Sequence, residues 1–151
     1  MTDKNASIMN IGSMGYLPQV FKKIENEKKL NIVYLGGSIT MGCNATKTEL
    51  RYVDRSAKWW QTNFPDAEIS YFNAGIGATT SQFGVARVQE HVLDKQPDLI
   101  FVEFSVNDSS SPLFMETYES LVRRLLKAES VKAVVLINNL FYDTGTNAQG
   151  I

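Results

Sequence analysis

The 151-residue chain has only one cysteine and one histidine, which excludes several kinds of site. A lone thiol, Cys43, cannot form an internal disulfide, and sparse cysteine is typical of a reducing compartment. One cysteine and one histidine, His91, cannot build the usual zinc site of cysteine and histidine ligands. We therefore expect a cytoplasmic protein that needs neither a metal nor a cofactor.

The chain also lacks an excess of either charge and any long apolar run. Its 15 basic residues nearly balance its 16 acidic ones, so the sequence lacks the excess of positive charge that is typical of proteins that bind nucleic acid or an anionic membrane. No apolar run approaches the roughly 18 residues that a membrane span requires. The N-terminus lacks the basic and then apolar pattern of a signal peptide. The sequence therefore predicts neither a nucleic-acid nor a membrane partner.

Short apolar runs alternate with amphipathic segments along the whole chain. The predicted strands are Ile32–Leu35, Ile69–Phe72, Leu99–Phe104 and Ala133–Ile137. The predicted helices cover Leu17–Lys29, the stretch from Val53 to Phe64 that Pro65 ends, the stretch from Val85 to Val92, and a segment that begins at Ser111-Pro112. Continuous apolar strands separated by helices indicate a parallel sheet covered on both faces. We expect one domain, residues 1–151, with a three-layer α/β/α, doubly wound architecture.

The last part of the chain does not complete such a sheet. Residues 141–151 are polar and rich in turn-forming residues, and no helix follows the fourth strand. We therefore expect that the C-terminal part of the domain is absent from this chain.

Three of the predicted strands end in unusual residues. They are followed by Gly36-Gly37-Ser38-Ile39-Thr40, by Asn73-Ala74-Gly75-Ile76-Gly77-Ala78-Thr79-Thr80-Ser81, and by Ser105-Val106-Asn107-Asp108. Ligands of open α/β sheets bind beyond the carboxyl ends of the strands, and a 2-1-3-4-5 strand order would place Ser38 in the middle.

Such a serine suits acyl transfer, which needs a nucleophile and hydrogen-bond donors aimed at the developing oxyanion. The Ser38 N–H, an N–H of the loop from Gly75 to Ala78, and the Asn107 amide would supply three donors. Each such donor is typically worth about 2.7–4 kcal/mol of transition-state stabilisation.

These three blocks, GGSIT, NAGIGATTS and SVND, resemble those of the SGNH hydrolases, the GDSL esterase and lipase family. They occur in the family's order within residues 31–108, with Gly37 in place of the aspartate of GDS. The resemblance implies a flavodoxin-like fold and a serine esterase that cleaves a small acyl ester. The GGSIT variety is most similar to bacterial acylhydrolases and carbohydrate acetylesterases, so we expect a small-molecule or carbohydrate ester as the substrate, with an acetylated carbohydrate as one candidate.

The resemblance also implies roles for single residues. Ser38 matches the nucleophile and Asn107 matches the oxyanion amide. The family's oxyanion glycine falls at Ala78, where only the backbone N–H is needed, and Gly77 is the neighbouring candidate. Ser105 replaces the glycine of the third block.

The family's fourth block, an aspartate three residues before a histidine, is absent. His91 lies about ten residues into the third predicted helix, roughly 15 Å along it, beyond hydrogen-bond reach of Ser38. We expect the base to come from the C-terminal remainder of the polypeptide or from a second chain.

Two other functions remain open. A binding domain could keep the same pocket without the base and catalyse nothing. A flavodoxin-like nucleotide or flavin binder is less favoured, because neither GxxxxGK[ST] nor GxGxxG is matched.

Four further residues carry expectations. Glu103 interrupts an apolar strand and should brace the site loops, with Arg87 as a candidate partner. Cys43 should be a small buried residue near the site. Trp60 should belong to the core, whereas Trp59 fits either the core or the rim of a substrate groove.

Overall fold

A computed structural model describes residue 8 and residues 10–139. The helices are α1 (Leu17–Glu27), α2 (Ser38–Met41), α3 (Tyr52–Asn63), α4 (Ser81–His91) and α5 (Pro112–Leu126), with 3₁₀ turns at Thr48–Leu50 and Leu93–Lys95. The strands are β1 (Lys29–Gly36), β2 (Glu68–Gly75), β3 (Leu99–Glu103) and β4 (Ala133–Leu136). The predicted turn-rich segment 141–151 lies outside the described residues. That all 151 residues form one domain therefore stays a prediction.

The four strands form one parallel sheet in the order β2-β1-β3-β4. This order confirms the expected doubly wound arrangement, in which β1 lies between β2 and β3. Helices cover both faces, because alternate residues of each buried strand face opposite sides of the sheet. Apolar residues of α1 and α3 pack on one face, and those of α4 and α5 pack on the other.

Most element boundaries differ from the sequence prediction by a few residues, and two of the differences have a clear structural reason. Helix α1 ends at Glu27 rather than Lys29, because Lys28 adopts a left-handed conformation with φ 51° and caps the helix. Strand β2 continues to Gly75 rather than stopping at Phe72, since Asn73, Ala74 and Gly75 stay in register with β1. Backbone hydrogen bonds with β1 therefore extend β2 over a polar residue and a glycine, which a search for apolar runs does not identify as strand residues.

Candidate active site

The Ser38 turn is built around two glycines that accept no side chain easily. A Cβ on Gly36 would lie 2.1 Å from Thr40 Oγ1 and 2.5 Å from the Glu103 carbonyl oxygen. The Gly37 N–H donates to that same carbonyl at 3.2 Å, which ties the turn to the end of β3. Ser38 follows as the first residue of α2 and is half-buried. The glycines therefore let the chain leave β1 and turn sharply into a short helix.

The loop after β2 packs directly against this turn. The Asn73 side-chain amide donates to the Thr40 carbonyl at 2.8 Å, and the Ile76 N–H donates to the Gly36 carbonyl at 3.1 Å. A Cβ on Gly75 would lie only 2.2 Å from the Met41 backbone nitrogen. The backbones of α2 and of the β2 loop are therefore in close contact.

The loop after β3 reaches the same place. A Cβ on Gly37 would lie 3.3 Å from Asn107 Oδ1 and 3.3 Å from the Thr79 carbonyl oxygen. Residues of all three loops therefore meet at Gly37, which immediately precedes Ser38. In the part of the chain that the structure describes, the N–H groups of Ser38 and Ala78 donate to no backbone acceptor.

Ala78 adopts an unusual backbone conformation. Its φ is 57°, in the left-handed region, and the residue is exposed. This region costs an L-residue with a Cβ about 1–2 kcal/mol, whereas glycine enters it freely. The sequence comparison places a glycine of the SGNH pattern at this position, and the conformation explains why glycine suits it.

We expect Ala78→Gly to stabilise the fold by up to about 1 kcal/mol, since relief of left-handed strain outweighs the extra chain entropy of glycine. Urea unfolding measures the difference. Gly77→Ala is the control at the neighbouring position, where φ lies outside the left-handed region. A loss of stability in Ala78→Gly would contradict the strained conformation.

Asp108 is a buried carboxylate that the motif comparison does not single out. Its Oδ1 accepts the Ser81 N–H at 2.9 Å and so caps the first turn of α4, which starts just after the β2 loop. Burial raises the pKa of the Asp108 carboxyl, while the bond from Ser81 opposes that rise. Asp108 therefore joins the Asn107 loop to the helix that follows Ala78.

Glu103 is buried beneath the loops that follow β3 and β4. Its Oε1 accepts the Ser105 hydroxyl at 3.3 Å, and the Ser105 oxygen accepts the Asn139 N–H at 2.9 Å. Burial raises the pKa of the Glu103 carboxyl, whereas the hydrogen bonds that it accepts, among them the one from Ser105, lower it. The contacts agree with the expected bracing role.

The expected partner of Glu103 is wrong. Arg87 belongs to α4, which packs on the face that receives Ile100 and Val102. Successive residues of a strand face opposite sides of the sheet, so Glu103 does not lie on this face. It lies on the other face, together with Leu99. Arg87 instead donates to two backbone carbonyls at the carboxyl end of the sheet.

His91 and Cys43 are the chain's single histidine and single cysteine. His91 is half-buried at the end of α4, and its Nδ1 lies 3.4 Å from Arg87 Nη1. The prediction for Cys43 is wrong, because the thiol is exposed. It follows the left-handed turn at Gly42, which directs the chain away from the core.

The two tryptophans lie on different faces of α3. Trp60 is buried and packs with Phe21 and Phe64, which confirms its place in the core. Trp59 is 52 % exposed. Its ring packs edge-on against Trp60 and Phe64, so Trp59 lies at the surface beside the core, and its place at the rim of a substrate groove stays a prediction.

Comparison with known proteins identifies the family of this fold and loop arrangement. The pattern of the GDSL-like lipase/acylhydrolase family matches residues 34–150. The chain belongs to this family. The match confirms the resemblance that the three blocks carry, and the SGNH fold accounts for the parallel sheet.

Solved structures support the same assignment. A two-domain esterase (CEX) active on acetylated mannans is 48% identical over 93% of this chain, with a TM-score of 0.88. The same esterase co-crystallised with mannopentaose gives 49% identity over 89% of the chain and a TM-score of 0.83. Axe2, an acetylxylan esterase from Geobacillus stearothermophilus, shares the fold at 22% identity, with a TM-score of 0.60 over 74% of this chain and 60% of its own. No curated protein is significantly similar in sequence to the chain.

The chain spans only 38% of the length of the two-domain esterase. Among the described residues, no helix is long and apolar enough to cross a membrane, and no three acidic, histidine or cysteine side chains group as metal ligands would.

Proposed function

We propose that the chain carries the nucleophile and the oxyanion donors of a serine esterase that removes acetyl groups from a carbohydrate. The observation that carries this proposal is the meeting of three strand-end loops at Gly37, beside Ser38. Ser38 is the nucleophile of the proposed reaction. Its own N–H, the backbone N–H of Ala78 or Gly77, and the Asn107 side-chain amide are the oxyanion donors.

The proposed reaction has two halves. Ser38 Oγ attacks the ester carbonyl carbon while a base takes its proton, and the carbonyl electron pair moves to the oxygen, where the donors stabilise it. Collapse of this intermediate breaks the bond to the alcohol, which leaves with the proton that the base took. Water then attacks the acyl-serine in the same way and releases the carboxylic acid and free Ser38.

The relatives support the substrate class. The esterase at 48% identity is active on acetylated mannans, and it was also co-crystallised with mannopentaose. We propose an acetylated carbohydrate for this chain as well. A cytoplasmic location stays a prediction from the sparse cysteine.

The general base of this proposal lies outside the 151 residues. His91 is the chain's single histidine, and its Nδ1 faces the Arg87 guanidinium at the far end of α4. A guanidinium only donates hydrogen bonds, so Nδ1 acts as an acceptor there and is not directed at Ser38. A histidine and an aspartate from the C-terminal remainder of the polypeptide, or from a second chain, complete the triad.

A non-catalytic binding domain is the second candidate, favoured by the position of that single histidine. A fluorophosphonate probe distinguishes the two, because it phosphonylates a serine only where donors stabilise the attacked phosphoryl oxygen. We expect slow, single-site modification of Ser38, identified by peptide mass spectrometry. Ser38→Ala should abolish it, and Ser120→Ala, on the exposed face of α5, should not. Equal, scattered labelling in all three proteins would support the binding domain.

A further inference from the structure

Arg87 is a buried cation whose partners are backbone carbonyls. The residue is 6 % exposed. Its Nη1 donates to the Ala74 carbonyl at 2.7 Å and its Nη2 donates to the Gly36 carbonyl at 3.2 Å. Nε is buried and has no hydrogen-bond partner among the described residues.

No ion pair accounts for this charge. Within the described ranges, none of the salt bridges involves Arg87, and the buried carboxylate of β3, Glu103, faces the other side of the sheet. The remaining contacts are the Phe83 ring, 5.7 Å from the guanidinium carbon, and His91 Nδ1. Burial of a charge without an ion-pair partner costs free energy. This cost suggests that Arg87 is buried there in order to hold the two carbonyls.

The two carbonyls belong to adjacent strands at the point where their loops separate. Gly36 ends β1 two residues before Ser38, and Ala74 lies near the end of β2, four residues before Ala78. A guanidinium is a rigid planar fork, so its two nitrogens hold both carbonyls at a set separation. Helical side chains lean towards the helix N-terminus, which lets Arg87 reach back to this edge from the middle of α4.

We propose that Arg87 is a positioning residue for the Ser38 reaction, which sets the spacing between the Ser38 turn and the loop that carries Ala78. The inference rests on the proposed function, since it concerns how the nucleophile and an oxyanion donor are held together. Neither nitrogen touches the reacting atoms. A misplacement of about 1 Å in such a constellation can cost about 100-fold in rate.

The test measures the rate of fluorophosphonate labelling of Ser38 in four forms of the full chain: wild type, Arg87→Ala, Arg87→Lys and Val88→Ala. Val88 is the matched control, because it is buried on the same helix and its apolar side chain cannot donate a hydrogen bond to either carbonyl. We expect Arg87→Ala to slow labelling by about 10- to 100-fold. Arg87→Lys, which can hold one carbonyl at a time, should be intermediate, and Val88→Ala should label at nearly the wild-type rate.

A second measurement is the rate of Ser38 labelling in Arg87→Ala with and without added guanidinium. If the side chain only filled space in the core, guanidinium would not raise this rate. A groove of about 340 Å³, lined by Ala74, Arg87 and His91 among others, opens beside the end of β2. A low, non-denaturing concentration of guanidinium chloride should therefore restore much of the labelling rate of Arg87→Ala. It should not change that of Val88→Ala. Equal slowing in Arg87→Ala and Val88→Ala, without rescue, would overturn the inference.

Amide hydrogen exchange separates this inference from the proposed function. In Arg87→Ala, the amides of residues 37–38 and 75–78 should exchange faster than in Val88→Ala at matched global stability. If wild-type Ser38 is never labelled, even when a histidine and an aspartate are supplied in trans, but this local difference appears, the esterase proposal fails and the spacing role stands. Identical exchange in the two variants overturns the spacing role whatever the labelling shows. Arg87→Lys serves for the labelling and exchange measurements if Arg87→Ala does not fold.

Discussion

Ester hydrolysis by the chain is expected to rise by about 10⁴-fold or more when the missing histidine and aspartate are supplied in trans. Without a base, the Ser38 hydroxyl is a weak nucleophile near neutral pH, so the donors alone should give little turnover. The experiment adds the part of the two-domain mannan esterase that this chain does not cover, and follows p-nitrophenyl acetate hydrolysis.

The same titration should raise the melting temperature. Among the described strands, β4 pairs with β3 alone, and Leu136 is 48% exposed. An apolar, uncharged edge of this kind tends to pair with other chains, so we expect limited solubility until it is covered.

Three controls define the first prediction. Ser38→Ala with the added segment should stay inactive, as should the wild-type chain with a segment whose histidine is replaced by alanine. His91→Ala should change nothing, with or without the segment. If the chain is monomeric and stable, and the segment alters neither activity nor melting temperature, the binding-domain function takes the place of the esterase.

Gly75→Ala is expected to lower the free energy of unfolding by at least about 3 kcal/mol. The added Cβ would lie 2.2 Å from the Met41 nitrogen and 2.6 Å from the Thr40 carbonyl carbon. Both are backbone atoms of α2, so no side-chain rotation can relieve the overlap. The backbone φ of Gly75 lies outside the left-handed region, so the loss comes from the contact rather than from conformation.

Gly77→Ala is the matched control for this second prediction. Its Cβ would lie 3.2 Å from Met41 Cε, the end of a flexible side chain that can move aside, so we expect a loss below about 1 kcal/mol. Urea unfolding of both variants measures the difference. Equal midpoints for Gly75→Ala and Gly77→Ala would show that α2 and the β2 loop are not packed as closely as the structure has them.

Local sequence patterns predicted the layers and the three loops of the site, and the resemblance to the SGNH hydrolases implied the strand order. Apolar runs and helical stripes are local patterns, and burial of both sheet faces leaves few arrangements open. Parallel strands bring their carboxyl ends to one edge, so Ser38 and Asn107 could be placed at one site from their positions in the chain.

The tertiary structure alone decided which polar groups hold those loops together. Arg87 bonds carbonyls 51 and 13 residues away, and Asp108 bonds an N–H 27 residues away. Backbone acceptors look alike at every position of a sequence, so no residue pattern identifies them as partners. For the same reason the sequence suggests a pair of Arg87 and Glu103, although the two lie on opposite faces. Which face a charged side chain takes, and which carbonyls it finds there, depends on the packing of α4 against the sheet.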